Sequence, residues 1–371
     1  MNTIQDVARK AEVSVSTVSN VLNGRTDRMR KETLARVEAA IAALKFRPNS
    51  VARRLKTGDT PLVGLLVPSL ANPMYGSIAR EVETFAQEQY NHRVLIGSTY
   101  RDKLKEAAFF EDLLTHGVRR VIVISSLADE RHFETAVERG MVVVSYDRRA
   151  AKGRVSKVEH VTPDNFEAAR LATAHLIAHG HKKLAFATVA GMTMSRSAKI
   201  QGFQAAASAS KLQDRAVILD GGPVDEYGDS MISEVGRALA LRLAADPARP
   251  TGIVAVNDLM ALGLMAGLRE AGVRVPQDVS VVGIDGLFLS ALSNPGLSTV
   301  QLPITDMART MVDYACGPRA DASREQVFTP VLVERESVAA PPVNLARKAG
   351  KGGGRSSGKS SDKSASRRAR A

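Results

Sequence analysis

The sequence lacks the features that mark secreted and membrane proteins. It contains one cysteine, Cys316, so an internal disulfide is excluded and the chain fits the reducing cytoplasm. No run of eighteen apolar residues occurs, which excludes a transmembrane helix. The N-terminus has the pattern of a capped helix, and it has no charged and then apolar secretion signal. We therefore expect a cytoplasmic protein.

Acidic residues are scarce at both ends of the chain, whose formal net charge is +12. Residues 1–59 hold twelve Lys and Arg against six Asp and Glu, and residues 346–371 hold nine against one. The stretch between them is close to neutral. With 371 residues, the chain is long enough for a small module and two sizeable domains. Basic ends around a neutral middle predict a polyanion partner for the ends and a different ligand for the centre.

The first residues have the pattern of two short helices. Thr3 precedes apolar residues at helical spacing and has Asp6 three positions on, which is typical of a capped helix start. That helix is predicted to end near Ala11, and Ser14 to cap a second one. This spacing is that of a helix-turn-helix, although a helical hairpin without special function is the alternative. Short hydrogen-bonding side chains suited to the major groove of DNA lie on the outward face of the second helix: Ser16, Thr17, Ser19 and Asn20.

From residue 61 to about 345, short apolar runs alternate with helical patterns. The runs are rich in Val and Ile, and amphipathic helices separate them, which predicts a parallel, doubly wound α/β architecture. Their number fits two sheets better than one. Such folds bind ligands at the carboxyl ends of their strands. The runs lie at 62–67, 93–97, 121–124, 141–145, 184–188, 217–219, 252–256 and 279–284.

Two motifs resemble those of the LacI/GalR (lactose-repressor) family of bacterial transcription regulators. The first, D-V-A-x-x-A-x-V-S-x-x-T-V-S-x-V-L-N, is matched from Asp6 to Asn23, with Glu12 where glycine is usual. The second, R-P-N-x-x-A-x-x-L, is matched from Arg47 to Leu55. Both stand at the family's spacing. The resemblance implies three segments: a helix-turn-helix domain at 1–47, a hinge helix and linker at 48–60, and an effector-binding and dimerisation core at 61–345.

The fold that the resemblance implies is a small all-α helix-turn-helix domain followed by an α/β periplasmic-binding-protein-like core. Two doubly wound parallel-sheet subdomains make up that core, and the chain crosses between them near 160, 288 and 324. The resemblance does not cover the tail, residues 346–371. Its Lys and Arg are interleaved with Ser, Gly and Ala, so it cannot bury enough apolar surface to offset ordering. We predict that this basic tail is disordered.

In the family, the second helix reads bases and the hinge folds when two copies meet on operator DNA. Leu55 would then enter the minor groove as an apolar wedge, although an ordinary buried leucine is the alternative. A homodimer on a pseudo-palindromic operator is therefore expected. No leucine-rich heptad follows the core, which argues against a coiled-coil tetramer and leaves other tetramers open. The implied DNA-binding residues are Thr3, Val15, Ser16, Thr17, Ser19, Asn20, Asn23, Asn49, Ala52, Arg53 and Leu55.

Candidate effector-binding residues lie in loops that follow predicted strands or in a family anchor. By resemblance, Asp147, Asn257 and Asp285 match positions that hydrogen-bond a sugar or nucleobase effector. For each of them a helix cap or a turn is the alternative, and for Asp258 that alternative is favoured. The full candidate set is Asn72, Tyr75, Asp147, Ser195, Lys199, Asn257 and Asp285.

Besides Glu12, three positions depart from the family's pattern. In the anchor S-x-x-x-R-x-x-G-F, Lys199 replaces the arginine and offers a point charge, with no bidentate fork unless Arg196 takes over. Leu302 replaces a frequent glutamine, which removes a polar contact. Arg30 stands where a capping serine is common before a third helix predicted at 32–44, so about 1 kcal/mol of capping is lost there unless another group caps it. The effector therefore need not be the one that a close relative binds.

Two enzyme-like patterns lack the context that their chemistry needs. Gly353–Ser360 matches the phosphate-loop pattern G-x-x-x-x-G-K-[ST], but no buried strand precedes it and no apolar helix follows it. His175, His179 and His181 lie near a predicted helix end and could resemble a metal cluster. The segment G-H-K-K-L-A resembles the family's usual strand entry, so a structural role is favoured. We predict no cofactor, no metal and no catalytic residue.

The sequence thus predicts a nucleoid-associated regulator that binds operator DNA, usually as a repressor, and senses a small carbohydrate-like molecule. The effector is expected to be a sugar, a sugar acid or a nucleobase-like compound bound between the subdomains. The regulated operon is expected to serve catabolism or transport. A solute-binding protein and a sugar-processing enzyme on the same α/β core are the alternatives.

Overall fold

The computed structural model describes residues 2–22, 25–26, 29–46, 60–125, 131–149, 157–191, 193–222, 228–320 and 322–342. The phosphate-loop pattern, the basic tail and the predicted boundaries at residues 47 and 345 lie outside the described residues. So do five of the predicted DNA-binding residues: Asn23, Asn49, Ala52, Arg53 and Leu55.

Three helices form the N-terminal unit, as the sequence predicts: α1 (Ile4–Lys10), α2 (Val15–Leu22) and α3 (Lys31–Ala43). Their apolar faces meet in a small core of their own. Such a small core makes each of its side chains important to the unit's stability. One valine of each helix is fully buried at its centre: Val7, Val18 and Val37.

Side-chain caps fix the starts of α1 and α2. The Asp6 N–H donates to the Thr3 hydroxyl over 3.3 Å, and the Thr3 N–H donates to the Asp6 carboxylate over 2.9 Å. This capping box confirms the predicted helix start. The Thr17 N–H donates to the Ser14 hydroxyl over 3.1 Å, which caps α2. At the start of α3, Arg30 makes no side-chain capping bond, as its replacement of a capping residue predicts.

The turn between α1 and α2 requires a left-handed residue. Glu12 occupies that position with a φ of 53°, where the motif usually has glycine. Its side chain is exposed, and its carboxylate lies 3.9 Å from the Arg36 guanidinium. An exposed ion pair of this length contributes little. The turn therefore holds a side chain that the backbone conformation disfavours.

Glu12→Gly is expected to raise the free energy of unfolding of the N-terminal unit by roughly 0.5–1 kcal/mol, because relief of the left-handed strain exceeds the entropy that glycine adds to the unfolded chain. Urea unfolding of residues 1–46 beside the full chain would measure it. Glu38→Gly, in the exposed interior of α3, is the matched control and should destabilise. A loss of stability in Glu12→Gly would contradict the assignment of strain.

Twelve strands and nine helices make up the described core. In chain order the strands are β1 (Leu62–Val67), β2 (Arg93–Ser98), β3 (Arg120–Ile124), β4 (Val142–Tyr146), β5 (Glu159–Pro163), β6 (Leu184–Thr188), β7 (Ala216–Asp220), β8 (Gly252–Ala255), β9 (Ser280–Asp285), β10 (Ser298–Gln301), β11 (Glu325–Phe328) and β12 (Val331–Val333). The helices are α4 (Pro73–Tyr90), α5 (Lys103–Thr115), α6 (Arg131–Glu138), α7 (Asn165–Ala178), α8 (Met194–Ala209), α9 (Gly228–Ala244), α10 (Asp258–Glu270), α11 (Phe288–Leu292) and α12 (Ile304–Cys316). No helix within the described ranges is both long enough and apolar enough to cross a bilayer.

The strands form two six-stranded sheets, which confirms the predicted pair of doubly wound subdomains. The first sheet has the order β11-β5-β4-β3-β1-β2, and the second has the order β12-β10-β9-β8-β6-β7. Neighbouring strands are parallel except that β12 runs antiparallel to β10. The first subdomain contains the first sheet with α4–α6 and α12, and the second contains the other sheet with α7–α11.

The chain crosses between the subdomains at 164, at 302–303 and at 329–330. The crossing predicted near 288 is wrong, because β10 follows that position and still pairs with β9 in the second sheet. Only after β10 does α12 return to pack on the first sheet. The crossings predicted near 160 and 324 lie inside or before β5 and β11, which both belong to the first sheet. The chain therefore crosses a few residues after each of these two predicted positions, once β5 or β11 is complete.

The three histidines near the end of α7 make hydrogen-bond or ring contacts with other residues of the fold. His181 is 1 % exposed, and its ring nitrogens contact the Thr251 hydroxyl at 3.0 Å and the Ala339 carbonyl at 2.9 Å. His175 and His179 stack with ring centroids 4.5 Å apart. The described part of the chain contains no group of three or more His, Cys, Asp or Glu placed to hold a metal ion. Burial lowers the pKa of His181 below its ordinary 6.5, and that of His175 is lowered in the same way.

Stability is expected to fall as the pH drops below about 6.5, because the unfolded chain then binds protons at these histidines before the folded chain does. Each such proton changes the free energy of unfolding by at most about 1.4 kcal/mol per pH unit. Thermal unfolding between pH 8 and pH 5 would measure the slope. His181→Gln, which cannot titrate, should flatten it, whereas His116→Gln, at an exposed histidine, should not. Equal slopes in all three proteins would exclude His181 as a source.

Candidate functional site

The described residues predicted to bind DNA lie at the start of α1 and on α2. Val15 is 43 % exposed, Ser16 and Asn20 are exposed, and Val18 on the opposite face of α2 is fully buried. One face of α2 is thus fixed by packing while the other is free to contact a partner. Thr17 and Ser19 are half-buried.

The hydroxyl groups at the start of α2 are already ordered. The Ser14 hydroxyl lies 2.7 Å from that of Ser16 and 2.8 Å from that of Thr17. At the start of α1, the Thr3 hydroxyl donates to the Asp6 carboxylate over 2.8 Å. These bonds preorganise the polar groups of a helix end that can meet phosphates or base edges.

A cavity lies between the two subdomains, and its empty space, with the open solvent at its mouth included, is about 620 Å³. It forms at the carboxyl ends of the strands, where doubly wound sheets place their ligands. All seven candidate effector residues line it, together with nine others. The lining residues are Pro68, Asn72, Met74, Tyr75, Arg101, Ile124, Ser125, Asp147, Thr193, Ser195, Arg196, Lys199, Ile232, Val256, Asn257 and Asp285.

Two of the candidates also cap helices, as the alternative interpretation predicts. The Asn72 side-chain oxygen accepts the Met74 N–H over 3.0 Å at the start of α4. The Asn257 side-chain oxygen accepts the Met260 N–H over 2.9 Å at the start of α10. Each amide keeps N–H donors beside the cavity. Capping fixes the side chain, so a cap and a ligand contact are compatible.

Asp147 lies where the two subdomains meet. It follows β4 with a φ of 66°, and its carboxylate accepts the Asn165 amide N–H over 2.7 Å. Burial raises the pKa of Asp147, while Lys199, the hydroxyl of Ser195, Asn165 and Arg101 lower it. Three of these four groups belong to the second subdomain. One carboxylate of the first subdomain therefore connects both walls of the cavity.

Lys199 lies at the position of the family's arginine, and Arg196 lines the same cavity. The Lys199 side chain is 8 % exposed, and its ammonium group donates to the Val256 carbonyl over 3.0 Å. The Arg196 guanidinium donates to the Ala190 carbonyl over 3.0 Å and also to that of Gly191. The Arg196 guanidinium therefore holds the loop before α8 in place. Leu302 is buried and does not line the cavity.

Asp258 is more than the turn residue that the sequence suggested. It is fully buried and accepts the Leu287 N–H over 2.7 Å and the hydroxyls of Ser290 and Thr299 over 2.8 and 2.5 Å. Burial raises its pKa, and these hydrogen bonds oppose that shift. The Asp258 carboxylate thus fixes the loop that follows Asp285, the buried candidate with a φ of 132°.

Sequence reasoning missed several polar residues of the cavity. Arg101 follows β2, Ser125 follows β3, and Thr193 caps α8 through the Arg196 N–H. The rule that located Asp147, the search for polar side chains after strands, could have found Arg101 and Ser125. Both follow runs that the sequence identifies as strands.

Comparison with known proteins identifies both units. Residues 3–49 match the model of bacterial regulatory proteins of the lacI family, and residues 173–338 match that of a periplasmic binding protein-like domain. The HTH-type transcriptional regulator GalR of Escherichia coli strain K12 is 30% identical over 356 residues, which covers 94% of this chain and 99% of GalR. Catabolite control protein A of Priestia megaterium is 32% identical over 88% of this chain and 96% of its own length.

The fold has a solved counterpart. The lac repressor dimer bound to operator and the anti-inducer ONPF matches with a TM-score of 0.76 at 24% identity, covering 91% of this chain and 99% of that one. The similarity to GalR spans the N-terminal unit and the core, so it is not confined to one shared domain. The chain therefore belongs to the LacI family of bacterial DNA-binding transcriptional regulators.

Proposed function

We propose that the chain is a dimeric repressor of a catabolic or transport operon and that a sugar, sugar acid or nucleobase-like effector in the cleft controls it. The observation that carries the proposal is the position of Asp147. Its carboxylate is bonded to Asn165 and Ser195 of the second subdomain and lies beside Lys199. A ligand that takes over these groups changes the contact between the subdomains.

The effector controls operator binding if the two subdomains can adopt two relative arrangements that bind operator with different affinities. The effector stabilises the arrangement that it binds more tightly, and operator DNA stabilises the arrangement that presents two α2 helices at the correct spacing. The two ligands are then coupled by the same free energy in both directions. The carboxylate of Asp147, among the described lining residues, has hydrogen-bonding and charged partners, which supports ligand binding in the cleft.

Exposed apolar pairs on equivalent edge strands support the dimer. β2 borders the first sheet and exposes Leu95 and Ile96, at 45 and 41 %. β7 borders the second sheet and exposes Val217 and Ile218, at 47 and 38 %. Unpaired apolar edges favour association, and a two-fold axis lets the same edges meet in both copies. Such a dimer would place two N-terminal units on one operator.

The test pairs operator binding with ligand binding in the full chain. Candidate compounds are screened for a rise in the unfolding midpoint, since a ligand of the folded state stabilises it by mass action. Fluorescence anisotropy with DNA from the gene's own upstream region then measures operator affinity with and without each hit. We expect at least one hit to change operator affinity fivefold or more. Hits that leave operator affinity unchanged would refute the proposed control.

Asp285→Asn is expected to weaken effector binding at least tenfold and to leave operator affinity in the absence of effector unchanged, because Asp285 lines the cavity and is remote in sequence from α2. Calorimetric titration and anisotropy measure the two affinities. Asp306→Asn, at an exposed carboxylate of α12, is the matched control and should change neither. Equal effector affinity in both variants would remove Asp285 from the site.

A further inference from the structure

The chain enters the first subdomain at the amino edge of its sheet. The N-terminal unit precedes Thr60 in the chain, and the Thr60 carbonyl accepts the Leu62 N–H over 2.7 Å at the start of β1. The Pro61 carbonyl accepts the Arg93 N–H over 3.0 Å at the start of β2. The cavity lies at the other edge of this sheet, where Asp147 follows β4. The N-terminal unit is therefore attached at the end of this subdomain that lies away from the cavity.

The last described residues leave the core at the amino edge of the second sheet. The Ala339 carbonyl contacts the His181 ring at 2.9 Å, and the Ala339 N–H donates to the Ser280 hydroxyl over 3.1 Å. His181 lies just before β6, and Ser280 is the first residue of β9. Pro341 lies beside Gly180. The cavity again lies at the opposite edge of the sheet, where β8 and β9 end.

Both sheets and the cavity therefore separate the two attachment points. β1 and β9 contain six residues each, so at roughly 3.3 Å per residue each strand is about 20 Å long. An unstructured chain as long as residues 343–371 has a root-mean-square end-to-end distance of about 30 Å. That distance is shorter than the two strands together, before the cavity is added. Residues 343–371 therefore leave the core at the end remote from the attached N-terminal unit.

The basic tail, residues 346–371, has the chemistry of a polyanion-binding segment. It holds nine Lys and Arg against one Asp, and it has no aromatic residue and no apolar residue larger than alanine. A membrane-inserting segment or a typical protein interface needs larger apolar side chains. Evenly spread cations neutralise successive phosphates without reading bases. The composition thus favours a nucleic-acid backbone as the partner.

The core around the exit is not an acidic surface onto which the tail could fold back. Exposed Lys182 and Lys183 follow His181 directly, and Asp278 is paired with Arg274 over 2.7 Å. The loops at this amino edge together hold seven Lys and Arg against five Asp and Glu. These loops are 179–183, 210–215, 245–251, 271–279, 293–297 and 334–342. Their net positive charge repels the tail and favours the same polyanion.

We propose that the basic tail binds a second DNA segment, distinct from the operator duplex that α2 contacts, so that the protein bridges two stretches of DNA. A copy bound to its operator is tethered among the phosphates of the same long DNA molecule, which raises their effective concentration for the tail. RNA has the same backbone charge but is not held nearby by the N-terminal unit. This inference rests on the family's DNA binding and is independent of the effector.

The test measures capture of a second duplex by the full chain. Operator duplex is tethered to a surface and saturated with protein, and a labelled duplex without operator is then added at low salt. We expect capture at least tenfold above that of a protein-free surface. Capture should decline linearly with salt concentration on logarithmic axes, because each neutralised phosphate releases counterions. Capture no greater than on the bare surface would overturn the proposal.

A charge-neutral tail identifies the segment that holds the second duplex. It should reduce capture at least tenfold and change operator affinity less than twofold. A chain with residues 346–371 in shuffled order keeps the charge and is the matched control, which should retain capture. The neutral variant carries Arg347→Gln, Lys348→Gln, Lys351→Gln, Arg355→Gln, Lys359→Gln, Lys363→Gln, Arg367→Gln, Arg368→Gln and Arg370→Gln.

Three results would contradict the bridge. Full capture by the neutral variant would mean that the N-terminal unit of another copy holds the second duplex. A neutral variant with weaker operator binding and a shallower salt dependence would place the tail on the operator duplex itself. Displacement of the captured duplex by RNA at a lower phosphate concentration than by unlabelled DNA would make RNA the partner of the tail.

Discussion

Asp258→Ala is expected to lower the free energy of unfolding by about 3–5 kcal/mol, because it leaves three buried donors without an acceptor. Those donors are the Leu287 N–H and the hydroxyls of Ser290 and Thr299. Their bonds connect the start of α10 with β10, with α11 and with the loop before α11. The loss should therefore disorder the loop that follows Asp285 as well as weaken the core.

Urea unfolding measures this loss, and two further variants interpret it. Asp258→Asn keeps the shape and one acceptor oxygen, so we expect a smaller loss than for alanine. Asp112→Ala, at an exposed carboxylate of α5, should change stability by less than about 0.5 kcal/mol. If Asp258→Ala matched that control, the carboxylate would not hold the loop.

Asn20→Ala is expected to weaken operator binding by about 1–3 kcal/mol per half-site, and by about 2–6 kcal/mol for a dimer that reads two half-sites. Asparagine can pair with adenine N6 and N7, and alanine cannot. Asn20 is exposed on α2, opposite the buried Val18, so the change should leave the fold intact. The variant should therefore lose operator affinity and keep its stability.

Selection from a library of randomised operators distinguishes base reading from general attraction. Asn20→Ala should relax the preference at one position of each half-site and leave the salt dependence unchanged, because a neutral side chain displaces no counterions. Glu38→Ala, on the exposed face of α3, is the matched control. An unchanged base preference would remove Asn20 from the reading face.

Local patterns predicted the N-terminal unit and the position of the cleft. The Thr3–Asp6 capping box needs only residues three apart, so its signal is complete in the sequence. Asp147 and Asp285 were found because each ends an apolar run, and carboxyl ends of parallel strands converge in space. Their roles in effector binding stay predictions.

Other features depend on distant parts of the chain. β5 has the sequence EHVTP, yet all five residues are buried, because β5 lies inside the sheet between β4 and β11 and α12 packs against it. β10 is a short polar strand, STVQ, and no apolar run marks it. Asp258 has the local pattern of a turn residue, and its partners Ser290 and Thr299 are 32 and 41 positions away. Such pairings are set by tertiary contacts.

The three crossings give neither subdomain a continuous stretch of sequence, and this determines the order in which they can form during synthesis. The first sheet is started by residues 62–163 but receives β11 only at 325–328. The second sheet receives β12 at 331–333, and the buried Ser337 hydroxyl donates to the Val281 carbonyl over 2.6 Å.

A ribosome therefore releases both halves of the core almost together, within the last segment of the chain. Until then, a nascent polypeptide carries an N-terminal helical unit with its own small core and two unfinished sheets whose edge strands are unpaired. Unpaired edges are prone to aggregation. A premature stop before residue 325 would leave both sheets incomplete, so such a truncated product should be a target for proteolysis and should not act as a free DNA-binding fragment.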